Sequence, residues 1–178
     1  GTIKKLKKEM FIEAAGEEIT VVNAAAMLTK LLQVSAGSIY TDKKEVIEFD
    51  VKNRVTALKD IITEASHKVI VFAPFRNSIE LILTELTKSK ISCDCIHGGI
   101  TMNKRSQIFK SFQESKDPQV LVIQPQSASH GVTLHAANVV VFWSPVVSVE
   151  TYIQCCARMD RAGQRNPMTV VHLFFVLF

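Results

Sequence analysis

Val69-Ile-Val-Phe-Ala-Pro-Phe75 (VIVFAPF) is the stretch on which the fold turns. It is an apolar run rich in β-branched residues and stopped by Pro74, which has no N–H to give a ladder. No polar residue alternates within it, so a strand made of it is covered on both faces, as in a parallel sheet. On either side lie helical patterns. Val55, Leu58, Ile61, Ile62 and Ala65 fall on one helical face before it, and Ile79, Ile82, Leu83 and Leu86 follow the i, i+3, i+4, i+7 rule after it.

The alternation continues outward. Ser92 to His97 reads as a short strand ending at Gly98-Gly99, and Arg105 to Phe112 as a helix with Ile108, Phe109 and Phe112 inward. Val120 to Ile123 and Val139 to Trp143 read as strands. Val149, Tyr152, Ile153 and Cys156 form an inward helical stripe, and Thr169 to Phe175 reads as a closing strand. Strands alternating with helices predict an α/β fold, a mainly parallel, doubly wound sheet with helices on both faces. In such folds ligands sit beyond the carboxyl ends of the strands. Pro74, His97-Gly98, Gln124-Pro125 and Ser144-Pro145 all lie at strand exits.

Residues 1–49 differ from the rest and are expected to be a helical lead-in to a domain over residues 50–178. Lys4, Lys5, Lys7 and Lys8 give a basic start, open to a solvated helix face or a phosphate contact. A helix is expected over about Asn23 to Gln33 and a loop over Ser35 to Lys44.

The chain has 178 residues, 47% hydrophobic and 21% charged, enough for a sizeable core and unlike a disordered segment. Its formal charge of +4 suits a partner carrying phosphates without requiring one. Cys93, Cys95, Cys155 and Cys156 are spaced C-x-C and C-C, not as paired C-x-x-C zinc ligands, and read as small buried thiols. No metal site is expected. The apolar run Val170 to Phe178 contains His172 and is too short to span a bilayer, so no membrane partner is expected. The first residue is Gly1 and the last lies in an apolar stretch, as in a piece of a longer protein.

The sharpest chemical signal is Gln154-Cys-Cys-Ala-Arg158-Met-Asp-Arg161-Ala-Gly163-Gln164. On a helix Gln154, Arg158 and Arg161 share one face. Guanidiniums so aligned repel each other unless an anion lies between them, and a polyphosphate matches their forks. Gly163 suits the position just past a helix. A solvated helix end is the plainer account of one arginine pair, but not of the whole string.

This string resembles the sixth motif of superfamily 2 helicases, in the form typical of Snf-type DNA translocases. VIVFAPF resembles the fourth motif, and IHGGITMNKRSQIFKSF (Ile96 to Phe112) the block that follows it. QPQSASHGVTLHAANVVVFW (Gln124 to Trp143) resembles the fifth motif, and LTKLLQVSAG (Leu28 to Gly37) the helix before the lobe. The likeness covers roughly residues 25–175. The chain departs from the family at Thr133, where Asn is common, at Trp143-Ser-Pro145, where Trp-Asn-Pro is common, and at Asp160, which replaces a frequent His.

The resemblance implies a RecA-like C-terminal motor lobe. Arg161 would be the arginine finger on the γ-phosphate of ATP, with Arg158 beside it and Gln154 coupling the nucleotide to the track. Gly131, Thr133 and Gln164 would line the ATP cleft. Ala73, Pro74, Phe75, Arg76, Asn77, His97, Gly98, Gly99, Arg105, Gln126, Ser127, Ser129 and His130 would meet nucleic-acid phosphates, duplex DNA being favoured, without reading sequence. A plain strand-to-helix turn is the alternative for each loop. No G-x-x-x-x-G-K-[ST] and no acidic pair after an apolar strand is present. By the same resemblance, ATP and Mg²⁺ would be held mainly by an N-terminal RecA-like lobe of the same full-length protein, in the nucleus or in a bacterial or viral cytoplasm. Two other readings remain: a non-catalytic helicase-like module binding nucleic acid or protein, and an unrelated doubly wound nucleotide-binding domain. The second lacks the glycine-rich loop expected after its first strand.

Overall fold

A computed structural model describes residues 21–40, 46–129, 133–158 and 167–173. Helix α1 (Val21–Ala36) is longer at both ends than the sequence pattern indicates. It stops at Gly37, whose φ of +102° suits glycine alone, and a Cβ there would lie 2.6 Å from Val51 Cγ1. Strand β1 (Ser38–Tyr40) then pairs antiparallel with β2 (Val46–Glu48). The loop expected over Ser35 to Lys44 is thereby corrected: Ser35 and Ala36 finish the helix, Ser38–Tyr40 is a strand, and residues 41–45 lie outside the described residues. A strand of three residues is too short to show alternation, and only its β-branched and aromatic content marked it.

The body follows as helix α2 (Lys52–Glu64), strand β3 (Lys68–Phe72), helix α3 (Arg76–Lys88), strand β4 (Cys93–Ile96) and helix α4 (Met102–Glu114). Strand β5 (Val120–Ile123), a short 3-10 turn (Pro125–Ser129), strand β6 (Ala137–Phe142), helix α5 (Val149–Ala157) and strand β7 (Thr169–His172) complete it. The five strands of the main sheet run parallel in the order β4-β5-β3-β6-β7, with VIVF of the opening stretch at the centre. The expected α/β, doubly wound arrangement is the one found. The chain leaves β3 for β4, returns to insert β5 between them, then crosses to β6 on the other side. Direction reverses around β3, so the crevice at a switch point opens beyond Ala73, Gln124 and Trp143.

Period-two side-chain direction sorts the central strand between two layers. Val69, Val71 and Ala73 pack with Val55, Leu58 and Ile62 of α2 and Ile79, Ile82 and Leu86 of α3. Ile70 and Phe72 pack with Ile108 and Phe112 of α4 and Cys155 of α5. Each fully buried side chain of this size contributes about 1.5–3 kcal/mol. Phe72, Phe142 and His172 are register partners and stack across the sheet at 5.3 and 5.1 Å between ring centroids. Tyr152 lies 4.9 Å from Phe142 and seats α5 on this row.

The inward stripe expected for α5 needs correction. Cys155 is its fully buried residue, with Tyr152 and Cys156 packed beside it, whereas Val149 and Ile153 are 72% and 59% exposed. Two stripes offset by about one residue compete on this helix. The aromatic seat of Tyr152 and the small thiols fit the close approach to the 3-10 turn, and the bulkier aliphatics turn out.

A buried polar knot ties the lead-in to the body. Trp143 Nε1 donates to Ala36 O at 2.8 Å, and Ser78 Oγ donates to the same oxygen at 3.2 Å. Arg54 Nη1 donates to Ser35 O at 2.7 Å and to Trp143 O at 3.2 Å, with its guanidinium carbon 5.0 Å from the Trp143 ring centre. Burial lowers the Arg54 pKa to about 10, which leaves it charged at neutral pH.

Candidate functional site

At the β3 exit, Ala73 is buried, Pro74, Phe75 and Asn77 are half-buried, and Arg76 is exposed. Phe75 is the N-cap of α3 and provides no side-chain cap, and the first turn holds no acidic residue. The positive end of the helix therefore keeps its full attraction for an anion.

At the β4 exit, Gly98 and Gly99 are exposed and His97 is half-buried. His97 Nδ1 accepts from Gly99 N at 3.0 Å, which leaves Nε2 as the protonated nitrogen of the neutral ring. Arg105 is turned onto this loop: its Nε donates to Ile100 O and its Nη2 to His97 O, both at 3.0 Å. Burial, then repulsion from Arg76 and Arg105, pushes the His97 pKa down, against a smaller pull from Glu80. A Cβ on Gly99 would lie 3.0 Å from Arg76 Nη1, so Arg76 crosses from the β3 exit to lie against the β4 loop. Arg76, His97 and two exposed glycines thus form one basic surface.

At the β5 exit, Ser127 is buried, Gln126 exposed, and Ser127 N donates to Gln124 O at 2.8 Å. Ser129 ends the 3-10 turn, and His130 lies outside the described residues. Cys155 Sγ donates to Pro125 O at 3.9 Å, so α5 backs directly onto this turn. Burial raises every thiol pKa, that of Cys155 to about 12, and all four cysteines are free.

Thr133 is half-buried, and Leu134 N donates to Arg158 O at 2.8 Å, joining the segment before β6 to the end of α5. Gln154 is half-buried and its Nε2 donates to Glu150 Oε1 at 3.3 Å. Arg158 caps the C-terminus of α5 and is only 9% exposed, yet its Nε and Nη1 have no hydrogen-bond partner among the described residues. Gly131, Arg161 and Gln164 lie outside the described residues, and of the sixth-motif string only residues 154–158 are located here, with Gln154 and Arg158 among the expected site residues.

The fold thus brings the three exits of β3, β4 and β5 together, with α5 behind them. Sequence reasoning placed Gln124 at a strand exit without giving it a role, and passed over Arg54. Gln124 bridges two exits, and its only signal was a polar side chain between an apolar strand and Pro125. Arg54 sat unremarked inside an amphipathic helix pattern.

Residues 53–163 match the family model described as the helicase conserved C-terminal domain. The chain belongs to this family. As a helicase C-terminal domain, it is 32% identical over 131 residues to the bifunctional helicase and thymine dioxygenase JBP2 of Leishmania major, covering 70% of this chain and 12% of that protein. It is 26% identical over 180 residues to the SWI/SNF-related matrix-associated actin-dependent regulator of chromatin subfamily A-like protein 1 of Xenopus tropicalis, covering 94% of this chain and 19% of that one. The domain spans well under half the length of these relatives. Among solved structures, the C-terminal part of the Fun30 ATPase domain superposes with a TM-score of 0.64 at 21% identity, covering 71% of this chain and 41% of that chain. The RecA-like lobe expected from the motifs is this fold.

Proposed function

We propose that this helicase C-terminal domain is the second motor lobe of an ATP-dependent nucleic-acid translocase, with duplex DNA the favoured track. Arg158 and Arg161 reach the phosphates of ATP held by an N-terminal lobe, and Gln154 lies on α5 one turn before Arg158. The observation that carries this reading is Arg158, a buried guanidinium at the C-terminal end of α5 whose Nε and Nη1 have no hydrogen-bond partner among the described residues. Leaving such groups unpaired is costly, and an incoming anion removes the cost. Delivered to a γ-phosphate, the same charge stabilises the transition state.

The loops at Ala73 to Asn77, His97 to Gly99 and Gln126 to His130 hold one strand's phosphates, through the open end of α3, Arg76 and glycine backbone. Arg105 serves by shaping the His97 loop. The nucleotide and track sites share α5, because the Pro125–Ser129 turn rests on Cys155 and the Arg158 carbonyl holds Leu134 next to Thr133. Closing the lobes on ATP therefore shifts the grip on the track, and reopening releases it. Mg²⁺ would be held by the nucleotide and the other lobe.

Salt-dependent binding to random-sequence duplex DNA, single-stranded DNA and RNA tests the reading. Tightest binding to duplex DNA, steeply weakened by salt and indifferent to sequence, is expected. Salt-insensitive binding, or a strong preference for one sequence, contradicts it.

A further inference from the structure

Strands β4, β5 and β3 are adjacent in that order, and the residue at the middle exit reaches both neighbours. Gln124 Oε1 accepts from Gly98 N at 3.2 Å, while Nε2 donates to Pro74 O at 3.2 Å. The backbone of Gln124 adds two further bonds, its N–H to Ile96 O and its carbonyl from Ser127 N, each at 2.8 Å. One residue is therefore bonded to the last residue of β4, the loop after it, the loop after β3 and the 3-10 turn.

The residue type follows from the task. A side chain that accepts on one side and donates on the other needs both functions at a fixed separation, which an amide has and a carboxylate or ammonium lacks. The β3 and β4 exits are two strand spacings apart, about 10 Å, too far for their backbones to pair. Arg76 makes a second crossing, from the β3 exit to Gly99, and depends on the same spacing.

We propose that Gln124 is the positioning residue that fixes the β3-exit and β4-exit loops as one phosphate-binding surface. This rests on the reading that these loops grip nucleic acid. Gln124 need not touch a phosphate. Without its amide each loop orders separately, and a polyanion spanning both must then supply the ordering cost. The Gly98 bond is solvent-exposed, so the tie contributes little to global stability.

The test compares the chain with Gln124→Met, which keeps the side-chain length without the amide, and Gln124→Ala. Amide hydrogen exchange of the free chain should rise in both variants over residues 74–77 and 97–99, with the strands unchanged. Affinity for random-sequence duplex should fall about tenfold in both, the scale of two modest hydrogen bonds. The effect of Arg76→Ala should shrink in the Gln124→Met background, because the two act on one surface. Unchanged exchange over residues 74–77 overturns the tie, whatever the chain binds. Full binding by Gln124→Met overturns the proposal in favour of simple packing, while weaker binding by Arg76→Ala alone would leave the nucleic-acid reading intact. Additive effects of Arg76 and Gln124 overturn it in favour of direct contact. Failure of the unaltered chain to bind duplex DNA, single-stranded DNA or RNA overturns the nucleic-acid reading and the role of Gln124 with it.

Discussion

Replacing Arg158 by methionine should make the chain more stable and blind to phosphate. Arg158 is 9% exposed, with Nε and Nη1 buried and without a hydrogen-bond partner among the described residues. Each unsatisfied buried donor costs about 1–3 kcal/mol. Methionine removes both donors and fills a similar volume with a flexible apolar chain. Against this stands the lost attraction between a cation and the C-terminus of α5, about 0.3–1 kcal/mol. The net gain expected is roughly 1–6 kcal/mol, or a Tm rise of roughly 2–24 °C for a chain of this size. Thermal unfolding followed by circular dichroism in a phosphate-free buffer reads it. Pyrophosphate, standing in for the terminal phosphates of a nucleotide, should stabilise the native sequence by about 1.4 kcal/mol at ten times its Kd and leave Arg158→Met unmoved. A variant that melts below the native sequence would refute the reasoning, because Arg158 would then be contributing to the fold rather than waiting for a ligand.

Further outcomes follow from the same structure. The His97 pKa lies below its usual 6.5, so the folded chain binds fewer protons than the unfolded one between the two values. His97 should therefore contribute stability that is complete above 6.5 and lost as pH falls toward the lowered value, and His97→Gln should flatten that slope in pH-dependent unfolding. In an NMR titration, Arg76→Gln should move the His97 pKa upward by removing a repelling charge. Trp143→Phe loses the buried bond to Ala36 O and part of the ring beneath Arg54, and should cost about 2–4 kcal/mol in urea unfolding. A cost under about 0.5 kcal/mol would mean that the lead-in is held some other way. The isolated chain should hydrolyse ATP no faster than background, and steady phosphate release abolished by changing Arg161 would contradict that.

Much of the fold was legible because the sheet is buried on both faces. VIVF, VLVI and ANVVVF carry strand identity in composition alone, and helices α2, α3 and α4 carry clean periodicity. The sequence reading failed where burial is decided by neighbours rather than by period. On α5 a tyrosine and two cysteines outcompeted valine and isoleucine because the sheet aromatics and the 3-10 turn dictate the face. The β1–β2 hairpin was missed because each strand holds only three residues. The candidate loops were legible as strand exits marked by Pro and Gly. What joins them was not, since Gln124 and Arg54 act through partners 19 to 89 positions away in sequence. Periodicity and motif spacing carry no record of such contacts.

Nucleic-acid-stimulated ATP hydrolysis by the full-length protein, with Arg158 and Arg161 each changed to alanine, tests the central claim most directly. The account predicts that kcat falls about a thousandfold or more in each variant while nucleic-acid affinity stays near that of the native protein. Hydrolysis within about twofold of native in both variants would contradict it, since the rate change expected from losing a transition-state arginine is far larger.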